Sequence, residues 1–366
     1  MSFVKHLDTL PIDTLIHKSL ATSSEEVKQT IDKNRWSHTD LPTLLSPAAI
    51  PYLERMAQKA KKLTEQRFGN TMQLFIPMYL SNECYNNCTY CGFSMKFKYP
   101  RVTLSDKEIL AEAKILKEKG FKHLLVLTGE APGKVGEDYI SHAIKLLSPH
   151  FSSIGIEIQP LRESGYTKMI QAGSDSLTLY QETYHREAYA HYHTAGKKRN
   201  YDLRLNAVEE GGKAGFYRLN IGALLGLHDW RYEAFALGEH LTYLQKTYWK
   251  SKLSVSFPRI QKMVGPFKVQ DEVTDTDLVQ CITAFRLCFP DSGITLSTRE
   301  PAWLRDRLIH LGITSMSAES HTEPGGYSGK KAEKQFEISD ERSLADVEKM
   351  LIESNFEPVY KDWDPI

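Results

Sequence analysis

Three cysteines, Cys84, Cys88 and Cys91, fall within the stretch SNECYNNCTYCGF that runs from Ser81 to Phe93. Thiolates spaced C-x3-C-x2-C are soft ligands suited to an iron–sulfur cluster or to zinc. A structural zinc site wants a fourth Cys or His at short spacing, and none follows in this stretch. Three thiolates on a [4Fe–4S] cluster would leave one iron open to an exogenous ligand. A zinc knuckle or a chance grouping is the alternative. The other two cysteines, Cys281 and Cys288, sit in the amphipathic run CITAFRLC. They read as thiols of a helical core, against a second metal site.

The bulk composition narrows the function. The chain has 366 residues, with 46 Lys+Arg against 46 Asp+Glu. This length suits one α/β barrel or two average domains. The balanced charge offers no basic field for nucleic acid. No apolar run approaches the ~18 residues of a membrane span, and MSFVKHLDTLP lacks the apolar centre of a signal peptide. These features, with few cysteines, lead us to expect a soluble cytoplasmic protein in a reducing compartment, with no membrane and no nucleic-acid partner.

The elements that must position the cysteines follow from the pattern. Residues 1–70 read as a polar helical extension, with helix starts at Ser23-Ser24-Glu25-Glu26 and Ser46-Pro47. Short apolar runs then alternate with helical stretches. The runs are 74–80, 123–128, 154–158, 176–180, 218–221, 253–257, 294–297 and 313–317. The helices fall near 105–119, 139–147, 166–171, 200–213, 230–249, 274–289, 303–310 and 344–354. Eight strands alternating with helices predict an α/β fold, a (β/α)8 TIM-type barrel over 71–320, which a segment over 321–366 completes. Active sites of such barrels lie at the C-terminal ends of the strands.

The residues after each run are polar or glycine-rich, as a functional rim requires. They include the cysteine loop, Thr128-Gly129-Glu130, Gln159-Pro160, Gln181-Glu182-Thr183, Gly222–Gly226, Pro258-Arg259, Thr298-Arg299-Glu300 and Ala318-Glu319-Ser320. An arginine at a barrel mouth, here Arg299, is a natural clamp for a carboxylate and suggests an amino-acid substrate. The alternative is a pair with Glu300 or another rim acid. Tyr79 and Ser317, at the ends of the first and eighth strands, either face the same space or belong to the core. His185, His191 and His193 lie among Tyr184, Tyr189 and Tyr192. They form either an aromatic lid or a metal site. Lys197-Lys198-Arg199 reads as a solvated loop.

The spacing, with Tyr90 before the last cysteine and Phe93 two residues after it, resembles the radical S-adenosylmethionine (SAM) signature. Further segments narrow the resemblance: LFIPMYLSNECYNNCTYCGFSM, KHLLVLTGEAPGKVG, IEIQPL, YQETYH, IGALLGL, LSVSFPRI, LSTRE, SAES with PGGY, and KDWD at 361–364. Together they span about residues 72–364. On them the chain is identified as a member of the aromatic amino acid lyases of that superfamily, and within these it is similar to the tyrosine lyases of thiamine biosynthesis.

The resemblance implies a [4Fe–4S] cluster on Cys84, Cys88 and Cys91, with SAM on the open iron. A 5′-deoxyadenosyl radical then takes hydrogen from the amino group of L-tyrosine, and the Cα–Cβ bond breaks to give 4-cresol and 2-iminoacetate (dehydroglycine). Tyr90, Phe93, Glu130, Gln159, Glu182 and Arg204 are the expected SAM-side residues. Glu130 stands where the superfamily binds the methionyl amine, although Thr128 replaces one glycine of that motif. Arg204 either pairs with the SAM carboxylate or is a solvated helix arginine. Tyr79, Arg299 and Ser317 are the expected substrate residues. The implied partners are the thiazole synthase ThiG and reduced flavodoxin or ferredoxin as electron donor. The competing readings are a tyrosine lyase of hydrogenase maturation (HydG), a tryptophan lyase and a non-catalytic iron–sulfur scaffold. The first carries a C-terminal extension with a second cysteine motif, and no cysteine follows Cys288 here.

Overall fold

The computed structural model describes residues 2–260 and 267–360, so the KDWD segment lies outside the described residues. Eight parallel strands form the barrel: β1 (Thr71–Ser81), β2 (His123–Thr128), β3 (Ser153–Glu157), β4 (Ser176–Glu182), β5 (Arg218–Ala223), β6 (Lys252–Ser256), β7 (Gly293–Leu296) and β8 (Ser315–Ser317). Pairing of Gln73 with Ser315 and of Phe75 with Ser317 closes β8 onto β1. The eight predicted runs are these eight strands, although β8 is shorter than the run 313–317. A ninth strand, β9 (Glu357–Val359), pairs with the start of β1 and was not anticipated.

The helices that alternate with the strands are α1 (Leu53–Phe68, before β1), α2 (Asp106–Glu118), α3 (Glu137–Leu147), α4 (Glu163–Ala172), α5 (Tyr201–Ala214), α6 (Trp230–Thr247), α7 (Asp275–Cys288), α8 (Ala302–Leu308) and α9 (Leu344–Glu353). Reciprocal capping boxes start α2 at Ser105 and Glu108, α7 at Thr274 and Asp277, and α9 at Ser343 and Asp346. Each satisfies two backbone or side-chain donors that a helix start would otherwise leave unpaired. Cys281 and Cys288 are buried on α7, as core thiols.

Side chains of a strand alternate between its two faces, and here that alternation divides the barrel's chemistry. Met72, Leu74, Ile76 and Met78 of β1 join Leu124, Val126, Ile154, Ile156, Leu177, Leu179, Leu219 and Ile221 in the apolar core beneath the helices. The N-terminal residues Phe3, Val27, Ile31 and Leu41 share this core. The intervening residues face the lumen. They are largely polar: Gln73, His123, Ser153, Ser176, Thr178, Arg218, Asn220 and Ser254 line a cavity of about 690 Å³ at the N-terminal end. Above it, a smaller cavity of about 130 Å³ opens at the C-terminal end of the strands.

Candidate active site

The cysteine loop leaves the end of β1 at the mouth of the barrel. Its backbone is held mainly by one side chain. The Arg101 guanidinium donates to the carbonyls of Asn82 (2.8 Å), Phe93 (2.9 Å), Ser94 (2.8 Å) and Phe97 (3.2 Å), and it stacks on Tyr99. Asn87–Cys88 forms a short antiparallel ribbon with His193–Ala195. Two glycines let neighbouring chain approach. A Cβ on Gly129 would lie 2.2 Å from the Glu83 carbonyl oxygen and 3.1 Å from Cys84 Cβ. A Cβ on Gly92 would lie 2.3 Å from the Lys334 carbonyl oxygen. Sequence reasoning did not single out Arg101, because it lies ten residues beyond the last cysteine and outside any motif.

The three thiols are free, and the donor set fits a cluster. Burial pushes the Cys84 thiol up, the Cys91 thiol up to about 11 and the Cys88 thiol well above its ordinary range. The positive charge of Lys198 opposes that rise at all three. Iron would supply the remaining stabilisation of the thiolates. Among the described residues no three His, Cys, Asp or Glu side chains gather as around a single metal ion. Thiolates that each take a different iron of a cube need not gather in that way.

Beside the thiols stands a buried wall of alternating charge. Lys198 Nζ lies 2.7 Å from Glu182 Oε1, and Arg204 bridges Glu182 (3.1 Å) and Glu130 (3.0 Å). Arg204 Nε also donates to the Tyr180 carbonyl, and Asn86 donates to the other oxygen of Glu130. Although burial alone would raise the Glu182 carboxyl, Lys198 and Arg204 outweigh it and hold it at about 2. Glu182 has φ +74°, a left-handed conformation costly for a non-glycine residue, and strain of this kind gathers at functional sites. One expectation needs correction. Lys198 is not part of a solvated loop, since its side chain is only 12% exposed and enters this wall. Of the two readings of Arg204, the structure removes the solvated helix arginine, because Glu130 and Glu182 offset the cost of burying it. His193 is held between Tyr90 (Nε2 to hydroxyl, 2.7 Å) and the Tyr189 carbonyl, and burial lowers it to about 3, so it is neutral.

The structure brings Tyr79, Tyr90, Cys91, Glu182, Arg299 and Ser317 to the lining of the upper cavity. Glu130, Gln159 and Arg204 line a neighbouring groove, which shares Lys198 with the cavity. Gln159 donates to the Val135 carbonyl at 3.2 Å. Phe93 lies behind the lining, edge-on to the Tyr79 ring at 5.8 Å. Tyr79 donates to Gln335 Oε1 at 2.6 Å, and the Ser317 hydroxyl accepts from the Thr298 amide. Arg299 packs over the Phe336 ring at 3.4 Å and makes no ion pair among the described residues. Its neighbour Glu300 pairs with Arg259 instead.

Gln335 and Phe336 come from the closing segment and were not foreseen. Their backbone passes over Gly92, whose amide donates to the Gln335 carbonyl at 2.9 Å. Glu157 was also missed. It lines the cavity from the end of β3, where burial and the nearby Glu182 push its carboxyl up to about 7 against the pull of Arg299. An acid inside the apolar run Ile154–Ile158 was the available signal.

Comparison with known proteins agrees with this geometry. The model of the radical SAM superfamily matches residues 78–236, and that of the biotin and thiamin synthesis associated domain matches 256–357. The 2-iminoacetate synthase of Escherichia coli (strain K12) is 44% identical over 93% of this chain and 91% of its own length. The FeFe-hydrogenase maturase HydG from Carboxydothermus hydrogenoformans is 32% identical and superposes with a TM-score of 0.89, over 98% of this chain and 84% of that one. A second HydG structure superposes with a TM-score of 0.91 at 31% identity and covers 96% of this chain and 79% of that one. A cysteine loop set over a polar-mouthed barrel, together with near full-length identity of this degree, places the chain in the 2-iminoacetate synthase family of radical SAM enzymes.

Proposed function

We propose that this chain is a radical SAM lyase that cleaves the Cα–Cβ bond of L-tyrosine to 2-iminoacetate and 4-cresol for the thiazole of thiamine. The observation that carries the reading is one cavity lined both by Cys91 of the cluster loop and by Arg299, which makes no ion pair among the described residues. When bound, a [4Fe–4S] cluster on Cys84, Cys88 and Cys91 with SAM supplies a hydrogen-abstracting radical. Everything else falls to the chain's own residues. Arg299 holds the tyrosine carboxylate, with the Ser317 hydroxyl beside it and Tyr79 at the rim. Phe75, Leu125, Leu127 and Phe257 give the cavity apolar walls for the aromatic ring. Exclusion of water by these walls and by the closing segment protects a radical from side reactions. Glu130, Glu182, Lys198 and Arg204 form a charged frame suited to a zwitterion, with Gln159 at its outer edge.

A low-potential one-electron donor such as reduced flavodoxin or ferredoxin completes the system, and the thiazole synthase ThiG takes the imine. The test is anaerobic reconstitution with iron and sulfide, followed by SAM, L-tyrosine and dithionite. The expected products are 4-cresol and 5′-deoxyadenosine together, with glyoxylate from hydrolysis of the imine. Deoxyadenosine without cresol under tyrosine saturation would refute tyrosine as the substrate. Cyanide and carbon monoxide in place of glyoxylate would point to the hydrogenase-maturase reaction.

A further inference from the structure

Three carboxyl groups line the upper cavity, and two of them are engaged. Glu182 is held by Lys198 and Arg204, and Glu300 by Arg259. Glu157 is different: its carboxyl faces the cavity and has no hydrogen bond or ion pair among the described residues. Glu157 is only half-buried, and a carboxyl facing an active-site cavity with no protein partner is free to meet a bound substrate. The tyrosine lyase reading, on which this inference rests, supplies a need. Once the amino group has lost a hydrogen atom, homolysis of Cα–Cβ gives the imine and a 4-hydroxybenzyl radical. That fragment differs from 4-cresol by one electron and one proton. A low-potential one-electron donor provides the electron. The proton needs an acid positioned beside the benzylic carbon within the cavity.

We propose that Glu157 is the proton donor to the leaving aryl fragment and that Tyr180 resupplies it from the polar cavity at the N-terminal end of the barrel. As the electron arrives, the Glu157 O–H bond breaks and a C–H bond forms at the benzylic methylene, leaving a carboxylate. Tyr180 lines both cavities, as do Phe75, Leu125 and Thr295, so it stands at the boundary between them. Its hydroxyl lies near Ser256, and the Ser256 hydroxyl accepts from Asn220 Nδ2 at 3.1 Å. Asn220 lines the lower cavity with Ser153, Ser176, Thr178 and Ser254, a polar route toward solvent. Tyr180 passes its proton to Glu157 and takes another along this chain, so no net charge stays behind.

The groups facing Glu157 support a neutral acid at working pH. Tyr79 comes from β1, Tyr180 and Glu182 from β4 and Arg299 from the loop after β7, with Arg204 and Lys198 farther off. Burial and Glu182 outweigh the three cations and hold the carboxyl at about 7, near the optimum for an acid that must also be reloaded.

The experiment compares wild type with Glu157→Gln and Tyr180→Phe, all as reconstituted holoenzyme with SAM, tyrosine and dithionite, and reads 4-cresol per 5′-deoxyadenosine. Glu157→Gln is nearly isosteric. We expect it to keep deoxyadenosine formation, which reports an intact fold and cluster, while cresol per deoxyadenosine falls at least ~10-fold. In wild type the ratio should fall as pH rises through about 7, and this limb should vanish in Glu157→Gln. Tyr180→Phe should keep the first turnover and slow later ones. A Glu157→Gln enzyme with the wild-type ratio and pH profile would overturn the assignment. If wild type itself made deoxyadenosine but no cresol, the tyrosine lyase reading would fail instead.

Discussion

Replacing Arg101 should loosen the cysteine loop without unfolding the barrel. Its guanidinium forms four hydrogen bonds to loop carbonyls on both sides of the cysteines, at Asn82, Phe93, Ser94 and Phe97. A hydrogen bond from a charged donor contributes about 1.5–3 kcal/mol. The four share one donor group and a partly solvated loop, so their contributions are not additive. Carbonyls freed by Arg101→Ala can be partly rehydrated, which leaves a net loss of about 3–4 kcal/mol for local closure of the loop. That corresponds to roughly a 100- to 1,000-fold rise in the open population. Arg101→Lys keeps the charge but cannot fork to both flanks, so about half the loss should remain. Amide hydrogen exchange checks this directly. The Asn82 and Met95 amides, bonded to Val102 and Asn86, should exchange faster in Arg101→Ala, while those of β2 and β3 stay protected. Iron retained per chain after desalting should fall in parallel. Unchanged exchange at Asn82 and Met95 with full iron content would refute the role of Arg101.

Two further outcomes follow from the charged residues. Arg299→Ala removes a guanidinium with no carboxylate partner among the described residues, so the KM for tyrosine should rise about 100-fold, the equivalent of ~3 kcal/mol; deoxyadenosine formation at saturating tyrosine should survive, and an unchanged KM would end the clamp assignment. Glu233 lies buried against the Tyr184 amide and the Thr183 hydroxyl, and burial pushes its carboxyl up to about 8. The folded chain therefore keeps a proton that the unfolded chain loses near 4.5, and stability should decline as pH rises from there to about 8, by ~3–5 kcal/mol. Urea midpoints at the two ends of that window should converge in Glu233→Gln, and a persisting difference would assign the slope to another group.

The barrel was legible because each strand is a short apolar run followed by a polar or glycine-rich rim, and because capping residues such as Ser105 and Thr274 mark helix starts. The cysteines were legible because their spacing is itself the chemistry. β9 was not, since a three-residue strand carries no periodic signal and exists only through its pairing with Thr71, Met72 and Gln73. Glu157 and Tyr180 were hidden by treating each run as uniformly buried. Polar residues at every second position, as in Ser176-Leu177-Thr178-Leu179-Tyr180, already separate a core face from a lumen face. Read in that way, β3 places Ser153, Gly155 and Glu157 together inside the barrel.

Lys198 shows a different limit. Three consecutive basic residues read as solvated because an isolated buried ammonium is very costly, and for Lys197 and Arg199, both exposed, that reasoning holds. For Lys198 it fails because the partners lie far away in sequence: Glu182 at the end of β4, and Glu130, reached through Arg204 on α5. Two cations and two carboxylates close into a neutral unit, and only the assembled unit makes burial of any member tolerable. The same unit includes Glu182, whose backbone is left-handed, and sets Lys198 within electrostatic reach of all three thiols. The charge that eases thiolate formation in the cysteine loop is thus delivered by the loop between β4 and α5. No local pattern could reveal this, because the stabilising term belongs to the closed barrel mouth and to none of its segments alone.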